Sequence, residues 1–209
     1  MPHPRGRPRS FDEAAALDRA TRVFWAQGYE PTSMSDLTEA MGISLSSLYA
    51  AFGSKRELFR RVVEDYQARF GMDVPAMLAE AATARQGVSA MLHTAARTYT
   101  GSDHPPGCLI ISAANNCGEE SADVRADLRH RRKRNVAALA DRIDTDIARG
   151  LVPQQTEPHA LASFYAAVLQ GMSQRAQDHA TEADLQTIAD TAMQAWPDAQ
   201  AGTSGRAGR

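Results

Sequence analysis

The side chains most able to do chemistry gather in one short stretch rich in small hydroxyls. Thr32, Ser33, Ser44, Ser46 and Ser47 alternate there with apolar Leu37, Ala40, Met41, Ile43, Leu48 and Phe52. Hydroxyls hydrogen-bond to phosphates and base edges, and a short helix with a dry back and a small polar front fits a DNA major groove. That chemistry is binding rather than catalysis. No Ser/His/Asp constellation, phosphate loop or carboxylate pair stands out, so the chain is expected not to be an enzyme and to need no cofactor. His93, His159 and His179 have no His or carboxylate four residues on, so no metal pair is expected.

Three further groups of residues could act. The segment Pro4-Arg-Gly-Arg-Pro-Arg9 resembles the core of an AT-hook, in which Arg5, Arg7 and Arg9 would lie along a narrow minor groove. The alternative for this arm is a solubilising tail. Cys108, Ile111, Ser112 and Asn115 share one face of a helix at i, i+3, i+4 and i+7. Cys108 has no basic residue within a helical turn to depress its pKa. It therefore reads either as a small buried hydrophobe or as a redox-sensing thiol. A Cys108–Cys117 disulfide is not expected, since nine helical residues would separate the two by roughly 13 Å. The run Arg125, Arg129-His-Arg-Arg-Lys-Arg134 is followed by Asp141, Asp144 and Asp146. It reads as a solvated face or as ion pairs at a dimer rim.

Composition sets the frame around these residues. A hydrophobic share of 43% and a charged share of 23% are those of a soluble globular protein, and 209 residues suit one or two domains. No run of about 18 apolar residues offers a membrane span. The net charge of −2 does not announce nucleic-acid binding, but the basic residues are locally concentrated. Two cysteines at this spacing make neither a disulfide framework nor a zinc site, so the expected location is the reducing cytoplasm.

The elements that must position these residues all read as helices. Capping boxes at Ser10-Phe-Asp-Glu13, Ser33-Met-Ser-Asp36, Ser54-Lys-Arg-Glu57 and Thr181-Glu-Ala-Asp184 mark helix starts, and Ser44 caps another. Gly28, Gly42 and Gly150 mark stops. The helix from Ser54 is expected to bend near Gly71 and Pro75. Cys108 to about Cys117 reads as one helix, Ala122 to Arg149 as a long one, and Pro158 to about His179 as the eighth. The chain is expected to be all-α with about nine helices. A basic arm (1–10), a helix-turn-helix domain (11–53), a ligand-binding and dimerisation domain (54–197) and a disordered tail (198–209) complete the layout.

Gly28-Tyr-Glu-Pro-Thr-Ser-Met34, Met41-Gly-Ile-Ser44 and Ser47-Leu-Tyr-Ala-Ala-Phe-Gly-Ser-Lys-Arg-Glu-Leu-Phe59 resemble the N-terminal signature of TetR-type bacterial transcriptional repressors. Pro106-Gly-Cys-Leu-Ile110, Val124-Arg125, Gly150-Leu151, Leu161-Ala162 and Gly171-Met172 resemble the regulatory half of a branch with a Gly-Cys-Leu motif. The resemblance implies a homodimer, paired through the eighth and ninth helices, on a double-stranded DNA operator. Thr32 and Ser33 would meet phosphate, as would Tyr49 and Lys55, while Ser44, Leu45, Ser46 and Ser47 would face the groove. Leu45 departs from the Lys or Arg of many relatives; leucine packs on a thymine methyl rather than pairing with guanine. An unidentified small-molecule effector would bind among Met91, Tyr99, Cys108, Ile111, Ser112, Asn115, Phe164 and Val168. Leu161, Tyr165, Ala166, Met172, Leu185 and Ile188 would form the dimer interface. The expected function is a ligand-responsive DNA-binding regulator, most simply a repressor. The alternatives are a redox or electrophile sensor working through Cys108, and an architectural DNA-binding protein using the arm.

Overall fold

The computed structural model describes residues 11–198. Arg5, Arg7, Arg9, the expected cap at Ser10 and the tail from 199 onward lie outside the described residues. Every regular element among the described residues is helical. The helices are α1 (Glu13–Gln27), α2 (Met34–Met41), α3 (Leu45–Phe52), α4 (Lys55–Arg69), α5 (Val74–Glu80) and α6 (Ala84–Tyr99). Then come α7 (Leu109–Ser112), a 3-10 turn at Glu119–Ser121, α8 (Ala122–Ala148), α9 (Pro158–Gln177) and α10 (Glu182–Met193).

The starts are set mostly by the caps legible in the sequence. Ser33/Asp36, Ser54/Glu57 and Thr181/Asp184 each form a reciprocal box, satisfying two backbone N–H groups that a helix start leaves open. At α1, however, the cap is Asp12, whose carboxylate accepts from the N–H groups of Ala14 and Ala15. A carboxylate so placed serves two donors at once and also meets the positive helix end. The bend expected near Gly71 is a full break at residues 70–73, with Asp73 restarting the chain as α5. The helix expected from Cys108 to Cys117 is a single turn followed by non-helical turns.

Side chains pack into two cores. One joins α1–α4 to α7 and the start of α8 through Phe24, Trp25, Leu37, Leu48, Phe59 and Tyr66, among others. The other joins α5, α6, α9, α10 and the second half of α8 around Leu92, Tyr99, Ile143, Tyr165 and Leu185. The first core thus takes in α4 and α7 and crosses the boundary expected at residue 53. Cys108 touches both cores. Within the first core the Trp25 ring stacks on His104 with centroids 4.6 Å apart and stands edge-on to Tyr66 and Phe70. Among the described residues the buried Trp25 Nε1 has no hydrogen-bond partner.

A buried ion cluster ties the far end of α8 to the start of α6. Asp146, 1% exposed, accepts from Arg142 at 3.0 Å and Arg149 at 3.2 Å, and its other oxygen accepts from the Ala84 N–H at 2.6 Å. Arg142 also donates to the Ala81 carbonyl, and Arg149 to that of Ala82. The sequence reading put Asp146 on a solvated acidic face; only Asp141 and Asp144 lie there. His93, expected to be isolated, sits 3.2 Å from Asp190 of α10, a pairing that spacing along one helix cannot reveal.

Candidate nucleic-acid interface and effector cavity

Helices α2 and α3 meet through a three-residue turn that Gly42 makes possible. Gly42 is left-handed (φ 67°) and its N–H closes onto the Thr38 and Glu39 carbonyls. Arg19 of α1 donates to the Met41 carbonyl at 3.0 Å and so fixes the end of α2. The Ser44 hydroxyl then caps α3 by accepting from the Ser47 N–H, and it lies 2.9 Å from the hydroxyls of both Ser46 and Ser47. On α3, Leu48 and Phe52 are buried while Ser44, Leu45, Ser46, Tyr49 and Ala50 are exposed. Leu45 (48%) and Tyr49 (51%) are among the few large apolar side chains on the surface. Two such residues on an eight-residue helix otherwise lined by small side chains make a continuous contact face. The adjacent Leu48 points the other way because successive helical residues are about 100° apart.

Three of the expected phosphate contacts have partners within the chain. Thr32 is buried, and its hydroxyl donates to the Gly28 carbonyl at 2.6 Å, so that side chain closes the turn between α1 and α2 instead of facing outward. Ser33 is exposed, but its own N–H is satisfied by the Asp36 carboxylate. Lys55 lies over the Tyr29 ring, 4.5 Å from its centroid, and donates to the Glu30 carbonyl at 3.3 Å. Burial pulls the Lys55 ammonium below its ordinary pKa, with Glu30 opposing the shift.

Behind this reading head, the Tyr29 N–H donates to the Ala113 carbonyl at 2.7 Å and hangs the α1–α2 turn on the end of α7. Arg22 reaches the Asp103 carbonyl, and Arg56 of α4 pairs with Asp123 of α8 at 2.9 Å. The front of α7 borders a cavity of about 80 Å³ walled by α4 through α9. Tyr66, Tyr99, Cys108, Ile111 and Leu169 give it an apolar body, and Arg131, Arg132, Asn135 and Gln170 a polar side. A second hollow of about 200 Å³ adjoins it and includes Ser112, Asn115 and Ser173.

Of the expected pocket residues, Tyr99, Cys108 and Ile111 line the cavity, and Ser112 and Asn115 line its neighbour. Met91 is enclosed in the C-terminal core and lines neither hollow. Phe164 and Val168 face outward, bordering a shallow apolar depression with Ile188 and Ala192 on the outer side of α9 and α10. Conversely, Tyr165, Met172 and Leu185, expected at a dimer interface, are wholly buried within the chain. The Tyr165 hydroxyl donates to the Ala192 carbonyl. Ala166 lines the cavity. Of that expected set, Leu161 and Ile188 keep partial exposure. The residues missed are Arg131 and Arg132, which the sequence reading gave to a solvated face. For Arg132 the sequence carries a signal: Val124, Leu128, Arg132, Asn135, Leu139, Ile143 and Ile147 run at i+3 and i+4 along one side of α8.

Cys108 does not have the setting of a reactive thiol. Burial pushes its pKa up, and the Tyr66 hydroxyl, 3.3 Å from Sγ, only partly offsets this. Nucleophilic cysteines need a thiolate, which this environment disfavours. Both cysteines are free.

Residues 16–62 match the family of bacterial regulatory proteins of the tetR type, and residues 84–192 match the tetracyclin repressor-like C-terminal domain. The chain belongs to the TetR family. It is 35% identical over 195 residues to the transcriptional repressor ComR of Escherichia coli (strain K12), covering 93% of each chain. To the repressor BdcR of the same organism it is 28% identical over 173 residues, covering 83% of each. Among solved structures, the TetR regulator CifR, in a cysteine-substituted form complexed with a 26-bp double-stranded operator, is 40% identical with a TM-score of 0.85. That match covers 92% of this chain and 100% of CifR. TetR membership accounts for the all-helical fold and for the helix-turn-helix at α2–α3. Among the described residues no helix is long and apolar enough to cross a membrane, and no cluster of metal-binding side chains occurs.

Proposed function

We propose that the protein is an effector-responsive transcriptional repressor that binds a pseudo-palindromic operator as a homodimer in the cytoplasm. The observation that carries the reading is the front of α3, where Leu45 and Tyr49 stand exposed amid serines on a helix whose back is buried. The operator-bound state of CifR, 40% identical over nearly the whole chain, supports the same use of this surface. Leu45 packs on a thymine methyl, Ser44, Ser46 and Ser47 reach base edges or phosphate, and Tyr49 and Ser33 contact phosphate. Lys55 adds a phosphate contact through the donors that Glu30 leaves over. The arm with Arg5, Arg7 and Arg9 follows the minor groove. The dimer forms through the outer face of α9 and α10, where Leu161, Phe164, Val168 and Ile188 await cover. Two reading heads then meet half-sites a whole number of duplex turns apart, about 34–36 Å per turn.

Effector in the cavity shifts the population toward a conformer with the wrong head spacing. It does so only by its differential affinity for the two states. The path runs from the cavity wall through α7 to the Tyr29 N–H and the α1–α2 turn.

Gel shifts on the DNA upstream of the protein's own gene test this reading. A specific, saturable shift is expected with wild-type protein. Leu45→Ala should weaken it by about 1–3 kcal/mol and relax preference at a thymine position. Lys55→Gln should weaken binding on all sequences alike and lower the salt slope by about one. No sequence-specific shift, or unchanged base preference in Leu45→Ala, overturns the assignment.

A further inference from the structure

The side chains that line the cavity and its neighbouring hollow include two guanidinium groups and no carboxylate. Arg131 is already neutralised: it pairs with Asp127 one turn away at 2.9 Å and bonds to the Gln67 side-chain carbonyl. Arg132 is different. It stands on the buried stripe of α8 between Leu128 and Asn135, is half-buried, and has no acidic partner among the described residues. Among the described residues its one hydrogen bond runs from Nη1 to the Ile110 carbonyl at 2.6 Å. Burial lowers its pKa, Cys108 nearby opposes the shift, and Arg129 adds to it. A guanidinium carries five donors in a planar fork. Most of this one's are uncommitted, and it sits on the wall common to both hollows, with Ile111 and Gln170 beside it.

We infer that the effector is a small organic anion: an apolar body seated against Tyr66, Tyr99 and Leu169, and a carboxylate or phosphate head held by Arg132. The inference rests on the proposal that this cavity is the effector site, and it names the chemical class of the ligand. A half-buried, unpaired cation is costly to keep, and a forked donor facing an apolar cavity fits a two-oxygen anion better than any neutral group.

The same residue supplies the coupling. Nη1 now holds the first turn of α7 through Ile110, and the other end of α7 holds the reading head through the Ala113 carbonyl. An anion in contact with Arg132 competes with that neutral carbonyl for the guanidinium and loosens α7. A neutral ligand of the same shape fills the cavity without taking the guanidinium from Ile110.

The test uses the full chain and pairs of probes that share an apolar body and differ in charge. Octanoate, phenylacetate and octyl phosphate are titrated calorimetrically against octanamide, phenylacetamide and octanol; the phosphate separates the two head groups. At least one anion is expected to bind ten-fold or more tightly than its neutral counterpart, and to lower operator affinity ten-fold or more at saturation. Arg132→Gln should bring the anion down to the affinity of the neutral probe, and Arg132→Lys should restore part of it. Should Arg132→Gln fail to fold, Gln170→Glu gives an independent variant: the exposed Gln170 shares both walls with Arg132, and a carboxylate there should exclude the anion. Neutral probes binding as tightly as the anions, no probe binding at all, or anion affinity unchanged in the variants would each overturn the inference. Anion binding without loss of operator affinity would overturn the route through α7. If the ligand-free protein fails to bind operator, the repressor reading falls, while the calorimetry still decides the ligand class.

Discussion

Asp146→Ala should destabilise the protein by about 3–5 kcal/mol, the range found when one partner of a buried ion pair is removed. The expected loss comes less from the bonds broken than from what is left behind. Arg142, with a side chain only 15% exposed, would keep its charge without a counterion, and the Ala84 N–H would lose its acceptor at the first turn of α6. Urea denaturation reads the effect as a lower midpoint. Asp146→Asn keeps one acceptor oxygen but replaces the other by an NH2 donor and removes the charge, and should recover only part of the stability. The double variant Arg142→Met/Asp146→Leu should lie well above Asp146→Ala, because a buried ion pair can be exchanged for apolar side chains at little cost. A loss below about 1 kcal/mol in Asp146→Ala would mean that water reaches the cluster and that its charges are solvated.

Gly107→Ala should cost about 3 kcal/mol, combining left-handed strain at a residue with a Cβ and overpacking against backbone. Gly107 has φ of 82°, and a Cβ there would lie 2.8 Å from the Ser173 carbonyl oxygen and 2.9 Å from its hydroxyl. Backbone cannot rotate aside as a flexible side chain would. The next residue depends on this approach, since the Cys108 N–H donates to the Ser173 hydroxyl at 2.9 Å. The substitution should therefore lower the thermal midpoint and also displace the entrance to α7. Gly150→Ala is the comparison: its φ is 72°, but nothing lies within 4 Å, so only the conformational part remains. Similar losses in the two variants would show that the contact with Ser173 is unimportant.

The sequence told most where structure is decided locally. Ser33, Ser44, Ser54 and Thr181 cap the helices they were read to cap, because the bond they make closes within three residues. Gly42 ends α2 in the left-handed conformation its position suggested. The exposure of Leu45 and Tyr49 followed from the burial of Leu48, since all three ride on one short helix. What failed needed information from elsewhere in the fold. Helix α9 has apolar residues on more than one side, so its sequence does not say which stripe meets α6 and α10 and which faces outward. Phe164, expected to line a pocket, is exposed, and Tyr165, expected to face a partner, is buried within the chain. Thr32 was read as a surface hydroxyl although the Gly28 carbonyl, four residues back, is within its reach. On α8 the polar letters Arg132 and Asp146 were averaged into a charged surface. Their register with Leu128 and Ile143 is what sets them apart.

The setting of Trp25 has a consequence for how the protein can be observed. Its indole is sandwiched at the place where α1, the end of α4 and the 101–107 loop converge, stacked on a histidine and with its N–H unanswered. The other tryptophan, Trp196, is buried in the opposite core against Tyr165. Indole emission responds to nearby rings, polarity and water, so the two side chains form a ratiometric pair, one where α1, α4 and the 101–107 loop meet and one in the opposite core. The regulator carries its own optical gauge: a shift of α7 that unseats His104 or admits water to Trp25 would register as a change in colour and intensity, with no dye attached and no DNA present.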